Sequence, residues 1–182
     1  MKKNIGPVLG LYPTPLVVVG AKVNGKTNWV LVGHLGIIGH DRILVSLAAA
    51  HYTNAGIREN KVLSVNIVDE AMLKKADYVG CVSGKDTDKS DVFPHYMGVA
   101  GAPIIEESPL TMECSVDHIY ETPGFESFIL KIENTYADEA VLNEDGKIDY
   151  RKLKPVLFQM PTYEYLETGE IIGKCMSYGK EK

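Results

Sequence analysis

The sequence predicts a mainly β fold, an antiparallel barrel of Greek-key type with a few short helices. Two turn signals support this prediction. Asn24-Gly25 separates two apolar runs rich in β-branched residues, and Thr122-Pro123-Gly124 separates two longer runs of the same kind. Both are typical of β-hairpins. The regular alternation of strands and helices that builds a parallel sheet is absent, so an antiparallel barrel is favoured.

Size and composition limit the possible functions. A chain of 182 residues that is 45% hydrophobic can form one domain, residues 1–182, with a substantial core. A net charge of -5 without a basic stripe argues against binding to nucleic acid or to an anionic membrane. Apolar stretches are too short to cross a membrane, and the three cysteines form no CxxC pair. We therefore expect a cytoplasmic protein.

The strand predictions follow the apolar runs. Residues 16–23 and 26–33 form the first hairpin, and residues 42–50 and 62–68 give two further strands. The glycine-rich segment 33–42 has no clear period, so we expect it to be irregular. The two runs around the second turn predict a hairpin of long strands.

Two short helices are predicted from their capping residues. Thr53 is positioned to cap a helix over residues 54–60, and Asp69 to cap a second helix that ends at Gly80 or Gly84. The following segment is rich in proline and glycine, and we expect its residues 91–104 to form a long loop. Such a loop could act as a lid or pack against another subunit.

Two segments that flank the predicted strand 62–68 could bind one phosphate. The start of the first helix offers free backbone N–H groups near Thr53 and Asn54, together with the positive end of the helix dipole. The loop at 83–89 offers hydroxyl, ammonium and backbone donors. Its contributing residues are Ser83, Gly84, Lys85, Thr87 and Lys89. The alternative is an ordinary helix cap and a solvated surface loop.

No catalytic constellation is recognisable in the sequence. The five histidines show no i, i+4 pair, so no metal site is expected, and Cys81 and Cys114 lie in apolar segments that predict buried thiols. The glycine motifs of serine hydrolases and common nucleotide-binding folds are missing. Trp29 could contact a flat ligand, but a core tryptophan is the favoured interpretation.

The chain as a whole resembles the flavin reductase-like FMN-binding proteins with a split-barrel fold, especially the flavoredoxin-like branch. The resemblance rests on NGKTNWVLVG, RILVSLAAAHYTNAGIREN, KVLSVNIVD, SGKDTDKSDVF, APIIEESPLTMECSV and LKPVLFQMPTYEYLETGEIIG. It implies a homodimer with FMN near the subunit interface. One departure is Arg42 after Asp41, where the family more often has proline, so the ring environment and substrate preference stay open.

The resemblance also implies which residues contact the cofactor. The ring contacts would be Asn28, Trp29, Val30, Ser46, Ala48 and Ala49. The phosphate contacts would be Thr53, Asn54, Ser83, Lys85 and Lys89, with His51 and Gly84 in the same segments. These phosphate residues coincide with the two segments identified above from their chemistry.

The implied function is that of an oxidoreductase that moves electrons from NADH or NADPH through bound FMN to a flavin, ferric iron or a protein. The hydride would arrive at flavin N5. The chain would hold the nicotinamide and flavin rings face to face and place backbone N–H groups near flavin N1. No catalytic residue of the chain is then needed. The alternatives are an FMN electron carrier that does not oxidise NAD(P)H itself, and a binding module for another phosphorylated aromatic such as pyridoxal phosphate.

Overall fold

The structure is a computed structural model that describes residues 1–180. Its strands are β1 (Thr14–Pro15), β2 (Val17–Val23), β3 (Lys26–Val32), β4 (Leu35–Ile37), β5 (Arg42–Ala48), β6 (Val62–Ile67), β7 (His95–Met97), β8 (Pro103–Ile105), β9 (Leu110–Thr122), β10 (Phe125–Ala137), β11 (Leu157–Gln159) and β12 (Glu164–Leu166). The α-helices are α1 (Thr53–Asn60), α2 (Leu73–Cys81) and α3 (Tyr150–Leu153), and short 3-10 helices lie at Glu139–Val141 and Tyr178–Lys180.

The predicted antiparallel barrel is confirmed. Seven strands form one antiparallel sheet in the order β3-β2-β6-β9-β10-β5-β4. The sheet curls until β3 approaches β5, so it forms a half-barrel. Two smaller sheets flank it, one made of β1, β11 and β12 and the other of β7 and β8.

Both predicted hairpins are present. Asn24 and Gly25 join β2 to β3 with φ values of 52° and 79°, the left-handed conformation that a tight hairpin turn requires at both positions. Gly124, with a φ of 82°, lies in the turn between β9 and β10. Glycine and asparagine accept this conformation at low cost, which is why these turns are recognisable from sequence.

The prediction that residues 33–42 are irregular is wrong in part. Leu35–Ile37 forms β4, an edge strand that pairs antiparallel with β5, with Gly36 opposite Leu44. Its three residues, one of them glycine, are too few to show the alternation of apolar and polar side chains that identifies a strand in a sequence. Backbone pairing with an existing sheet edge therefore creates this strand.

The segment at 91–104 is not an open lid in this structure, because it packs against its own barrel. It contains β7 and most of β8, and Phe93 and Ile104 are buried. The Glu113 carboxylate accepts hydrogen bonds from the backbone N–H groups of Ala100 (2.9 Å) and Ala102 (3.1 Å). Burial alone would raise the pKa of Glu113, but these bonds and others reverse that effect and lower it.

The two helix starts differ from the prediction. Tyr52 precedes α1 and makes no side-chain capping bond, so the assignment of Thr53 as the cap is wrong. Thr53 is the first helical residue, and its hydroxyl oxygen accepts a hydrogen bond from Asn28 Nδ2. Asp69 does accept a hydrogen bond from the Met72 backbone N–H, but it closes a turn before α2 begins. Within residues 1–180 no helix is long and apolar enough to cross a membrane.

Strand β2 separates two parts of the hydrophobic core. Val17 and Val19 face the interior of the half-barrel with Val45, whereas Val18 faces the opposite side and packs with Ala76 of α2. The alternation follows from the period of two along a strand. Because β2 is buried on both faces, α2 is held firmly against the outside of the barrel.

Candidate functional site

A cavity of about 290 Å³ lies where β3, the end of β5, the start of α1 and the end of α2 meet. We call it the central cavity. Most residues predicted for a cofactor site line it, although they come from four separate segments. They are Asn28, Val30, Ala48, His51, Thr53, Ser83, Gly84 and Lys89.

The start of α1 is fixed against the barrel by a buried hydrogen bond. Asn28 Nδ2 on β3 donates to Thr53 Oγ1 over 2.7 Å, and both side chains are buried. One turn later, Gly56 lies so close to the Lys22 carbonyl that a β-carbon there would overlap it. The helix therefore begins directly at the cavity, and the Thr53 hydroxyl hydrogen can be donated to a ligand.

The loop at 83–89 closes the opposite side of the cavity. A β-carbon at Gly84 would overlap Asn28 Oδ1 and the Tyr52 ring, so only glycine lets the loop approach this closely. The Ser83 carbonyl accepts hydrogen bonds from the backbone N–H groups of Asp86 (3.1 Å) and Thr87 (3.0 Å), which forms a tight turn. Tyr52 was not predicted as a site residue, because nothing in the sequence shows that it faces this loop.

Lys89 places an almost fully buried ammonium group beside the cavity, with 3% of the residue exposed. Its Nζ donates to the carbonyls of Val79 (3.0 Å) and Val82 (3.1 Å) at the end of α2. The third N–H of the ammonium is left for another acceptor. Burial lowers the pKa of Lys89 to about 8. Burial also lowers the pKa of His51, and the charge of Lys89 acts in the same direction.

Lys85 occupies a different position from Lys89. It is exposed and lines a neighbouring depression of about 330 Å³, which shares Lys89 with the central cavity. The depression also contains the ion pair between Lys26 Nζ and Asp88 Oδ2, at 2.8 Å, which anchors the loop. Of the two predicted lysines, Lys89 is therefore the one held at the cavity wall.

Five predicted contacts do not line the central cavity: Lys85 and Ser46, which line neighbouring spaces, and Trp29, Ala49 and Asn54. Trp29 is fully buried, and its ring packs edge-on against Phe93 with centroids 5.6 Å apart, as the core interpretation requires. Asn54 is buried and donates to the Ala48 carbonyl over 3.1 Å, whereas Ala49 is exposed. Contact of these residues with a cofactor stays a prediction.

A second cavity of about 280 Å³ adjoins the first and shares Ala48 and His51 with it. We call it the aromatic chamber. The predicted Ser46 lies here, together with a group of rings that the sequence did not indicate: His34, Phe125, Phe158 and Tyr163. One signal was available, since Phe125 directly follows the second hairpin turn and pairs with Ala48 across the strands.

The arrangement is suited to a ligand with an anionic end and a flat apolar end. Helix α1 starts at the central cavity without an acidic residue in its first turn, and the Thr53 and Ser83 hydroxyl groups and the Lys89 ammonium surround the same space. Such donors recognise phosphate. Within residues 1–180, no group of three or more His, Cys, Asp or Glu side chains could hold a metal ion.

Comparison with known proteins identifies the family of the chain. The family model described as flavin reductase like domain matches residues 9–167. The chain belongs to the flavin reductase-like family. No curated protein matches the chain.

Solved structures of flavin reductase-like proteins include close matches. A flavoredoxin from Methanosarcina acetivorans is 36% identical, with a TM-score of 0.94 over 99% of this chain and 98% of that one. The flavoredoxin of Desulfovibrio vulgaris (Miyazaki F) is 34% identical, with a TM-score of 0.90 over 98% of this chain and 100% of that one. An FMN-binding protein from Thermus thermophilus, 20% identical, shares the fold with a TM-score of 0.80 over 96% and 98% of the two chains.

The lowered pKa of Lys89 predicts a pH-dependent stability difference. Between its folded pKa of about 8 and its ordinary value of 10.5 the unfolded chain holds more protons, so this residue's contribution to stability rises with pH. Relative to Lys89→Met, the wild type should gain about 2–3 kcal/mol between pH 7.5 and 10. Urea unfolding at several pH values measures this gain. The exposed Lys85→Met is the control, and a constant difference between wild type and Lys89→Met would contradict the prediction.

Proposed function

We propose that this flavin reductase-like protein binds FMN, with the phosphate in the central cavity and the ring towards the aromatic chamber. The observation that carries the proposal is that the buried Lys89 lines the same cavity as Thr53 and Ser83. An ammonium with only two carbonyl partners is incompletely compensated, and a phosphate would supply the missing negative charge. The apolar walls next to it suit a flat ring.

The proposed activity is that of an oxidoreductase. Bound FMN would supply the redox chemistry, taking a hydride from NADH or NADPH and passing electrons to a flavin, ferric iron or a redox protein. The chain's part is to hold the phosphate at Lys89, to fix the start of α1 through Asn28 and Thr53, and to exclude water with apolar walls. An FMN electron carrier without NAD(P)H oxidation is the second candidate, supported by the similarity to two flavoredoxins.

We also propose a cytoplasmic homodimer. Exposed apolar residues occur on the extended segment before β1 and at the end of β4, namely Ile5, Val8, Leu9, Leu11, Ile37 and Ile38. A second copy of the chain could cover them. Cys81, Cys114 and Cys175 are free thiols, which suits a reducing compartment. Light scattering during size-exclusion chromatography should give twice the mass of the chain, and a monomeric mass would contradict the dimer.

Lys89 and Lys85 should contribute unequally to FMN binding. Lys89→Gln removes a buried, charge-assisted hydrogen bond and should weaken binding by about 1.5–3 kcal/mol, whereas the exposed Lys85→Gln should cost less than about 1 kcal/mol. Wild-type affinity should also fall as the pH rises through 8, because Lys89 loses its proton there. Quenching of FMN fluorescence on titration measures both effects.

Equal affinity for wild type and Lys89→Gln would remove Lys89 from the phosphate site. Mass spectrometry of the ligand released from purified protein provides an independent check. FMN is expected, and pyridoxal phosphate in its place would contradict the proposal.

The two candidate activities differ in their reaction with nicotinamide cofactors. For a reductase, anaerobic mixing of the FMN-loaded protein with NADH or NADPH should bleach the flavin absorbance rapidly in a stopped-flow instrument. Absence of bleaching with both donors, in a protein that dithionite does reduce, would contradict the reductase and favour the carrier.

A further inference from the structure

The aromatic chamber has walls that are fixed by packing. Phe158 of β11 lies directly over Gly33, where a β-carbon would overlap its ring. Tyr12 packs edge-on against Phe158 with centroids 6.1 Å apart, and Tyr163 does so from another direction at 6.2 Å. Phe158 thus packs the small sheet of β1, β11 and β12 against the barrel, and Tyr12 and Tyr163 hold its ring. The space between them is apolar, flat-walled and close to the lower end of the size range of small-molecule sites.

His34 lines this apolar space and has an unpaired polar atom. Its Nε2 is buried and has no hydrogen-bond partner within the part of the chain that the structure describes, residues 1–180. Leaving a buried polar group unpaired is unfavourable, so a ligand that completes the hydrogen bond would recover that cost. Ser46, the neighbouring polar residue, already bonds to Ser127 through their hydroxyl oxygens at 3.0 Å.

The orientation of His34 is set by its neighbours. Its backbone carbonyl accepts a hydrogen bond from the Ser46 N–H over 2.9 Å, which ties the residue to β5. Its ring stands at 70° to the ring of Phe125, with centroids 5.6 Å apart. Backbone and ring are therefore both restrained at the place where His34 lines the chamber wall.

We propose that the aromatic chamber binds a planar ring with a carbonyl or imide edge, and that His34 Nε2 forms a hydrogen bond to that edge. The bond orients the ring and selects against rings that lack a polar edge. This inference rests on the proposed function, because the ring belongs either to bound FMN or to a second, aromatic electron acceptor. The two sources share the same chemistry and are separated by experiment.

The test uses FMN-loaded His34→Phe, which keeps a flat ring without nitrogen, and His34→Gln, which keeps a hydrogen-bonding group. His118→Phe is the matched control, since His118 is exposed on β9 and lines no cavity described above. Three quantities are measured: the FMN dissociation constant, the visible spectrum, and the rate at which menadione reoxidises dithionite-reduced protein. In that reaction the reduced flavin is oxidised by two electrons, and the quinone takes up these two electrons and two protons and becomes the quinol.

If the ring is that of FMN, His34→Phe raises the dissociation constant roughly five- to tenfold and shifts the spectrum. If it is a second acceptor, both stay at wild-type values, while the menadione rate constant falls roughly five- to tenfold. In either case His34→Gln restores most of the loss and His118→Phe changes nothing.

The inference is overturned if His34→Phe matches the wild type in all three measurements, or if His118→Phe changes them equally. If His34→Phe does not fold, His34→Leu replaces it in the same three measurements, with the same expected changes. A wild-type protein that does not bind FMN would refute the proposed function instead. Equilibrium dialysis of menadione against wild type and His34→Leu then tests ring binding in the aromatic chamber without FMN. Equal binding to both proteins, or no binding to the wild type, overturns the inference.

Discussion

The buried ammonium of Lys89 connects the segments on which the central cavity depends. Through its bonds to Val79 and Val82 it ties the loop at 83–89 to the end of α2, where the helix dipole favours a positive charge. Two carbonyls replace only part of the hydration that a buried cation loses. The charged form of Lys89 is therefore disfavoured, and its pKa is lowered. The wall is therefore preorganised for a negatively charged group, since an anion would both bind and stabilise the protonated lysine.

The remainder of the structure holds this wall in place. Asn66, buried on β6, accepts hydrogen bonds from the Ile105 N–H and the Thr111 hydroxyl, while Glu113 fixes the loop between β7 and β8. These bonds join the segment at 91–105 to the outer face of the barrel. On the other side Gly56 lets α1 touch β2. The site is thus built on rigid elements, which is the condition for orienting a ligand accurately.

Sequence reasoning succeeded where local chemistry decides the structure. The Asn24-Gly25 turn, α1 and β6 each carry their signal within a few neighbouring residues. It could not separate Lys85 from Lys89, because both lie in the same polar loop, and only the carbonyls of α2 determine which is buried. Strands β4, β7 and β8 were not predicted, because backbone pairing with another segment creates them and their own residues carry no strand pattern. The aromatic chamber combines both ends of the chain, so no local pattern could reveal it.

The position of Trp29 has a practical consequence. It is the single tryptophan of the chain, it is fully buried, and it lies on β3 between Asn28 and Val30, which both line the central cavity. The chain therefore contains one tryptophan fluorophore, which can be excited apart from the tyrosines and is buried at the back of the site. Any bound molecule that absorbs in the near ultraviolet would quench its emission by energy transfer. The unmodified protein carries its own optical reporter of occupancy, and no label has to be introduced.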